Sequence, residues 1–389
     1  MFQRLLKIKV PRTQSLFLWG ARQTGKSDYL EARFPEALRF DLLDTELLLR
    51  YTNEPYLFRK ELLSYFSDHP LSTVIVDEIQ KVPLLLNEIH WLITKKKIQF
   101  ILCGSSTRKL KTSSANLLGG RAWVYHFYPL VYSEIPNFDL LRALQHGLLP
   151  EHYLSEPEFI RQHLQSYVNA YLTDEIRHEG LVRNLAHFSR FLEIAGISNG
   201  ELINMNNIAR DSGVSRNTVE GYFQILVDTL LGYYVYPYRK KVKRDIITMT
   251  PKFYLFDVGI ANYIGRRVLI DLKGEAAGKS FEHYIFMEIQ AYRGLNQKNF
   301  DIHYWRTKTG LEVDCILGNA AVAIEIKLSV RVHAEELKGL QIFCAEHPKT
   351  KAICVSQDAA PREMEVDKRV IYVMPWRLFL EKLWRGEII

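Results

Sequence analysis

The sequence has 389 residues, too many for one ordinary hydrophobic core, and it therefore predicts several domains. Hydrophobic residues make up 47% and charged residues 24%, which argues against a largely disordered chain. The net charge of +7 suits a polyanionic partner such as nucleic acid, although proteins without such a partner often carry it too. No stretch approaches the roughly 20 apolar residues that span a bilayer, so we expect a cytoplasmic protein with no membrane partner.

The N-terminal third alternates apolar strands with helical segments. Strands are predicted at 15–19, 72–77 and 98–103, with a loop at 20–27. Helices are predicted to begin near Asp28 and to cover 83–93. Strands that alternate with helices favour a parallel sheet covered on both faces, so the expected fold class is α/β.

The rest of the chain changes pattern twice. From about 136 to 194, Leu, aromatic and charged residues recur at helical spacing, which predicts an all-α segment. Residues 204–238 predict two short helices and an apolar strand. From Phe281 a helix is followed by strands at 302–305, 312–317 and 320–327. The domain boundaries predicted from these changes are 1–135, 136–195, 196–269 and 270–389.

A phosphate-binding pattern follows the first strand. Residues 20–27 match GxxxxGK[ST] in full, which predicts a loop whose N–H groups and following helix N-terminus bind ATP phosphates. Lys26 would reach the β- and γ-phosphates, and Ser27 would bind Mg²⁺. A chance match in a turn is the alternative, but the flanking strand and helix favour the phosphate site. The cofactor-binding residues are Gly20, Ala21, Arg22, Gln23, Thr24, Gly25, Lys26 and Ser27.

Two carboxylates end the second strand. Asp77 would hold Mg²⁺, and Glu78 would act as general base on the attacking water. By itself this pattern is weak, because a solvated strand end looks the same. After a complete phosphate-binding loop it predicts hydrolysis of ATP.

Two further positions are candidates for contact with the phosphates. Ser105, with Ser106 as second choice, follows the third strand at the edge where ligands bind, although a simple turn is the alternative. Arg121 follows two glycines and would reach a phosphate in its own or a neighbouring subunit, with a surface salt bridge as the alternative. Arg22 is a weaker candidate for the same role.

The middle of the chain has a helix–turn–helix pattern at 208–219. Gly213 would turn the chain, Ser215 would cap a second helix, and Val219 would pack inward. A basic, tyrosine-rich stretch at 233–244 would form the wing of a winged helix and contact DNA phosphates. A winged helix used only for protein packing is the alternative. The DNA-binding candidates are Arg216, Asn217, Arg239, Lys240 and Lys241.

Acidic residues and a lysine recur in the C-terminal part. Residues two apart in a strand face the same side, so Glu325 and Lys327 point together, and Asp314 would join them from a neighbouring strand. Asp314 and Glu325 would bind Mg²⁺, and Lys327 would position or activate water. Glu282, on the preceding helix, is a further metal candidate. A solvated strand face is the alternative, which the apolar neighbours of Glu325 argue against.

The segments WGARQTGKS, VIVDEIQKVP, ILCGSSTRKL and LLGGRAWVYHFYPLVYSEI resemble bacterial and archaeal AAA-type ATPases whose C-terminal half is the module DUF4143. The resemblance covers most of the chain. It implies an AAA+ core with a helical lid, a homo-oligomeric ring, often a hexamer, Ser105 or Ser106 as sensor, and Arg121 as a finger in trans. AAA+ proteins often have Asn at the sensor position, where this chain has Ser. The D…ExK pattern resembles the PD-(D/E)xK nuclease core, which is either active or kept only for binding.

Two functions stay open on the sequence. One is an ATP-hydrolysing protein that remodels or processes DNA, with a metal-dependent endonuclease or exonuclease centre in its C-terminal domain. The other is an ATP-dependent switch or scaffold that acts on a protein partner and carries an inactive nuclease-like fold. Stimulation of ATP hydrolysis by DNA would distinguish them, because only the first predicts it.

Overall fold

A computed structural model describes residues 2–68, 73–108, 110, 118–172, 184–239, 250–366 and 369–389. The chain forms two compact units. The first contains residues 3–129 and 224–231, and the second contains residue 2, 130–223 and 232–389. Within the described ranges, no helix is both long and apolar enough to cross a membrane.

The first unit is built on a five-stranded parallel sheet with strand order β2-β3-β4-β1-β5. Its strands are β1 Ser15–Trp19, β2 Leu38–Asp41, β3 Val74–Asp77, β4 Phe100–Gly104 and β5 Ala122–His126. All residues of β1 and β4 are buried, as expected for central strands covered on both faces. The predicted α/β class with a parallel sheet is confirmed.

Two edge strands of this sheet were not predicted from the sequence. In β2 half-buried and exposed positions alternate, and Arg39 and Asp41 interrupt its apolar residues. β5 exposes Trp123 and Val124 and contains only a short apolar run, residues 122–125, which was not assigned to a strand. The third predicted strand is also displaced, since β4 begins at Phe100 and ends at Gly104.

Helices cover both faces of the parallel sheet. They are α1 Lys26–Arg33, α2 Thr45–Asn53, α3 Tyr56–Asp68 and α4 Leu85–Lys96. The first begins two residues before the predicted start, so Lys26 and Ser27 belong to its first turn. Tyr51, Phe58 and Phe100 pack edge-on or tilted in the core of this unit, with ring centroids 5.3–6.3 Å apart. Burial of each such side chain contributes about 1.5–3 kcal/mol to stability.

The second unit begins with helices, as the sequence predicted. These are α5 Leu140–His146, α6 Pro150–Leu154, α7 Ile160–Ser166, which continues as a π-helical segment Tyr167–Leu172, and α8 Leu185–Ile197. Two helices at helix–turn–helix spacing follow, α9 Met205–Ser212 and α10 Arg216–Asp228. A two-stranded antiparallel sheet comes next, formed by β6 Gly232–Val235 and β7 Lys252–Leu255.

The C-terminal part is a six-stranded mixed sheet with order β12-β13-β11-β10-β9-β8. Its strands are β8 Ile302–Arg306, β9 Glu312–Leu317, β10 Val322–Ile326, β11 Lys351–Ser356, β12 Arg362–Val366 and β13 Arg369–Pro375. The helices are α11 Val258–Ile264, α12 Gly274–Leu295, α13 Lys338–Glu346 and α14 Trp376–Arg385. One apolar core contains residues of α12 and α14, and another contains residues of α13, so helices cover both faces of this sheet.

Candidate functional site

The loop between β1 and α1 has a backbone that only certain residues allow. Gly25 has φ +87°, in the left-handed region, and begins α1. A Cβ at Gly20 would collide with the backbone and side chain of Phe127. Within the described part of the chain, no side chain caps the N-terminus of α1. The N–H groups of its first turn therefore suit an anionic ligand.

Lys26 lies buried inside this loop. Its ammonium donates to the carbonyl oxygens of Gly20 at 2.7 Å and Ala21 at 2.9 Å. Burial lowers the pKa of Lys26, and the nearby Glu78, Cys103 and Asp77 act against that lowering. The Lys26 ammonium thus contacts neutral carbonyl oxygens. An anionic phosphate that replaced them would be a stronger hydrogen-bond partner.

Ser27 meets the end of β3. Its hydroxyl donates to Asp77 Oδ2 at 2.8 Å, and Cys103 on the adjacent strand β4 donates through Sγ to Asp77 Oδ1 at 2.9 Å. Serine hydroxyl and aspartate carboxylate are oxygen ligands of the kind that Mg²⁺ prefers beside nucleotide phosphates. The donor set therefore fits a nucleotide-bound magnesium ion.

Glu78 is buried and sits at the centre of a small polar network. Gln80, also buried, donates from Nε2 to Glu78 Oε2 and to Ser105 Oγ, the latter at 3.2 Å. The Ser105 hydroxyl donates to Glu78 Oε2 at 3.2 Å. A Cβ at Gly104 would collide with the Gln80 side chain, so the approach of β4 to Gln80 requires glycine. Sequence reasoning missed Gln80, whose only signal was a polar residue in an apolar stretch after the two carboxylates.

The remaining phosphate candidates lie in different surroundings. Ser106 Oγ accepts from the backbone N–H of Arg108 at 3.3 Å, so Ser105 is the serine that reaches Glu78. Arg121 is exposed, and its Nη1 lies 3.1 Å from Nε2 of His90 on α4. Arg22 lies half-buried within the loop.

Arg4 braces the phosphate loop from outside the motif. Its guanidinium donates to the carbonyls of Thr24 and Tyr128, both at 2.6 Å, and stacks over the Phe127 ring at 4.2 Å. Sequence reasoning missed this residue too, because it lies far from the motif along the chain and carries no pattern of its own.

The structure forms the two helices, the glycine turn and the serine cap that the helix–turn–helix pattern predicted. Gly213 ends α9 with φ +69°, and Ser215 Oγ accepts from the N–H of Thr218 at 3.2 Å. Val219 is fully buried, whereas Arg216 and Asn217 are exposed on α10. Arg216 forms an ion pair with Glu220, with Nε and Oε1 2.9 Å apart. Arg239 is exposed, and Lys240 and Lys241 lie outside the described residues.

Four predicted residues of the C-terminal domain come together. Lys327 Nζ lies 2.6 Å from Glu325 Oε1, and Asp314 Oδ2 accepts from the N–H of Ile326 at 2.7 Å. Burial raises the pKa of Asp314 well above its usual range, and Glu325 and Glu282 raise it further. Burial also raises the pKa of Glu325 to about 7 despite the opposing effect of Lys327.

A second lysine enters this cluster from β7, which sequence reasoning did not foresee. Lys252 is buried, and its Nζ lies 3.2 Å from Glu282 Oε1 and also pairs with Glu312. The Tyr254 hydroxyl donates to Glu282 Oε1 at 2.6 Å. Of the residues described, no three or more His, Cys, Asp or Glu side chains are grouped to hold a metal ion.

The predicted ligand set of Glu282, Asp314 and Glu325 stays a prediction. The Glu282 carboxylate lies against Lys252 and Tyr254, which satisfy it with a charge and a hydrogen bond.

Comparison with known proteins gives a family assignment for each part of the chain. An AAA domain family, AAA_14, matches residues 12–136. A domain of unknown function, DUF8612, matches 137–271, and a second one, DUF4143, matches 277–379. A search of curated proteins gave no significant match.

Among solved structures, one match is the Aeropyrum pernix Orc1 protein in complex with DNA. The identity is 12%, the match covers 66% of this chain and 87% of that one, and the TM-score is 0.28. A TM-score this low carries no argument about ligand or function. The family matches apply to two separate parts of the chain: residues 12–136 match an AAA domain and residues 277–379 match DUF4143.

Proposed function

We propose that the chain hydrolyses ATP with Mg²⁺ at the loop between β1 and α1. One observation carries the proposal. The Ser27 hydroxyl lies 2.8 Å from Asp77, although 50 residues separate them, and the buried Glu78 follows at the same strand end. A phosphate loop, a magnesium ligand pair and a general base meet at one edge of the parallel sheet, where ligands of such sheets bind.

Each residue has a role in this proposal. The N–H groups of the loop and the Lys26 ammonium bind the β- and γ-phosphates. Ser27 and Asp77 hold Mg²⁺, which when bound neutralises phosphate charge. Glu78 accepts a proton from the attacking water, and Gln80 and Ser105 orient its carboxylate by hydrogen bonds to Oε2.

Glu78→Gln tests this proposal. We expect ATP binding to be kept and turnover to fall by about 10²–10⁴-fold, because only the base is lost. Binding is measured with a fluorescent ATP analogue and turnover by phosphate release. Glu36→Gln, an exposed glutamate of the same unit, is the control. Unchanged turnover in Glu78→Gln would remove Glu78 as the base.

We further propose that the helix–turn–helix segment binds DNA. Arg216 and Asn217 are exposed at the start of α10, as expected for a helix that enters the major groove. Arg216 would have to leave its exposed ion pair with Glu220 to contact DNA. This costs little, since such pairs contribute only about 0.2–1 kcal/mol.

DNA binding is tested with Arg216→Ala and Asn217→Ala. If Arg216 contacts a phosphate, its removal reduces the slope of log affinity against log salt by about one. If Asn217 contacts a base, its removal weakens binding at one sequence position. Arg190→Ala, at an exposed arginine of α8, is the control. ATP hydrolysis that ignores DNA in the native chain would favour the alternative, a nucleotide switch acting on a protein partner.

We propose a homo-oligomeric ring, possible sizes including a hexamer, in which Arg121 acts on ATP of the neighbouring subunit. The exposure of Arg121 beside two glycines supports this role. Native mass spectrometry with ATP gives the subunit number. Mixing Arg121→Ala with Glu78→Gln chains tests the role in trans, because each inactive chain then supplies what the other lacks. Recovery of activity is expected, and its absence contradicts the assignment.

We propose that the DUF4143 domain binds DNA and does not cleave it. The pairing of Glu282 with Lys252 and Tyr254 supports this reading over a metal-dependent endonuclease or exonuclease. Incubation of the native chain and Asp314→Asn with linear, single-stranded and branched DNA in Mg²⁺ tests it. Cleavage that disappears in Asp314→Asn would restore the nuclease reading.

A further inference from the structure

Three carboxylates of the DUF4143 domain, those of Glu282, Glu312 and Glu325, have protein cations as partners. Glu282 and Glu312 both pair with Lys252, Glu312 also pairs with Arg306 at 2.7 Å, and Glu325 pairs with Lys327. The cluster consists of Glu282, Glu312, Asp314, Glu325, Lys252, Lys327 and Arg306. Four carboxylates therefore face three cations, and the formal excess is one negative charge.

Lys252 differs from the other two cations of the cluster in its burial. Its side chain is 5% exposed, against 31% for Lys327 and 34% for Arg306. The Tyr304 ring lies 5.7 Å from its Nζ. The ammonium therefore lies in the interior beside the carboxylates of Glu282 and Glu312.

We propose that Lys252 is the resident cation of this cluster, in the place that a divalent ion would need, and that the native cluster binds no divalent cation. Mg²⁺ is usually bound through one or two carboxylates and keeps several waters. Here Glu282 and Glu312 have the Lys252 ammonium against them, and Oε1 of Glu325 has Lys327. An ion that used Glu282 and Glu312 would have to displace a lysine whose side chain is only 5% exposed.

One atom of the cluster remains open. Glu325 Oε2 is buried and has no hydrogen-bond partner among the described residues. A single oxygen does not make a site for a divalent ion, which needs further ligands from the same cluster. If it nevertheless marks a metal site, divalent binding to the native chain will depend on Glu325 and Asp314, and the experiment below detects this.

This proposal rests in part on the proposed absence of DNA cleavage by the domain. Metal occupancy and DNA cleavage are measured separately, so the failure of one proposal can be told from the failure of the other. The test uses the full chain without nucleotide and with Asp77→Asn, which weakens the other magnesium site. Bound Mn²⁺ is measured by the loss of the free-ion electron paramagnetic resonance signal. We expect no stoichiometric Mn²⁺ in this background, and one Mn²⁺ per chain after Lys252→Ala is added.

The control is Lys279→Ala in the same background. Lys279 on α12 also pairs with two carboxylates, Glu201 at 2.9 Å and Glu275 at 2.8 Å, but at the surface. It should gain no Mn²⁺. Thermal unfolding gives a second readout, since Mn²⁺ should raise the melting temperature of Lys252→Ala and leave that of Lys279→Ala unchanged.

Two results would overturn the proposal. The first is one Mn²⁺ per chain with Lys252 intact, lost when Asp314→Asn or Glu325→Gln is added. The second is a folded Lys252→Ala chain that gains no Mn²⁺. If Lys252→Ala does not fold, Lys252→Met replaces it, and the measurement with Lys252 intact still decides the first point. Cleavage of DNA without Mn²⁺ binding would contradict the proposed function while leaving Lys252 as the resident cation.

Discussion

Two buried lysines of this protein have opposite surroundings. Lys26 rests on the neutral carbonyls of Gly20 and Ala21, and burial lowers its pKa. Lys252 is pressed against the carboxylates of Glu282 and Glu312; burial works against its charge, but the carboxylates raise its pKa. The Lys26 ammonium donates to carbonyls and is available to an anionic ligand, whereas the Lys252 ammonium is directly paired with two carboxylates and has a structural role.

Lys252→Ala gives the largest expected effect on stability. Glu282 and Glu312 would lose a buried counter-cation, and loss of one partner of a buried pair costs about 3–5 kcal/mol. Denaturant unfolding without divalent ions measures the free energy of unfolding, and Lys279→Ala gives the value for a surface pair. A loss no greater than that of Lys279→Ala would make the contrast between the two buried lysines wrong.

Lys26→Ala should reduce ATP hydrolysis strongly and the stability of the fold only slightly. We expect ATP hydrolysis to fall by about 10²–10³-fold, since a cation that stabilises the transferred phosphate is lost. The free energy of unfolding without nucleotide should change by no more than about 1 kcal/mol, because two hydrogen bonds are lost together with a burial cost. Phosphate release and denaturant unfolding measure the two quantities, with Lys95→Ala on the surface of α4 as control. Strong destabilisation would show that Lys26 is also structural.

Gln80→Ala sharpens the comparison within the nucleotide site. Gln80 touches Glu78 and Ser105 and acts through them, so it is a positioning residue. We expect kcat to fall by about tenfold, from the loss of one hydrogen bond to a charged group, and the KM for ATP to stay the same. Gln99→Ala, at the residue before the first residue of β4, is the control. An increase in KM with unchanged kcat would place Gln80 in ATP binding.

The sequence predicted elements with a clear local pattern better than it predicted contacts between residues far apart along the chain. The central strands β1, β3 and β4 were recognised because burial on both faces requires a continuous apolar run. The edge strand β2 was missed because Arg39 and Asp41 interrupt its apolar residues, and β5 was missed although it has a short apolar run at residues 122–125. Arg4 was missed because its hydrogen-bond partners are distant in sequence and leave no periodic pattern. Gln80 was missed because a single glutamine after the two carboxylates carries no motif of its own.

The sequence by itself determined the phosphate loop, since its eight residues are contiguous and the backbone conformation that cradles phosphate is local. It also determined the parallel α/β class and the pairing of Glu325 with Lys327, which are two apart at the end of β10. Only the tertiary structure decided which cation pairs with Glu282 and Glu312. Lys252 lies 30 residues from Glu282 along the chain, and the packing of β7 against α12 and β9 brings its charge to their carboxylates.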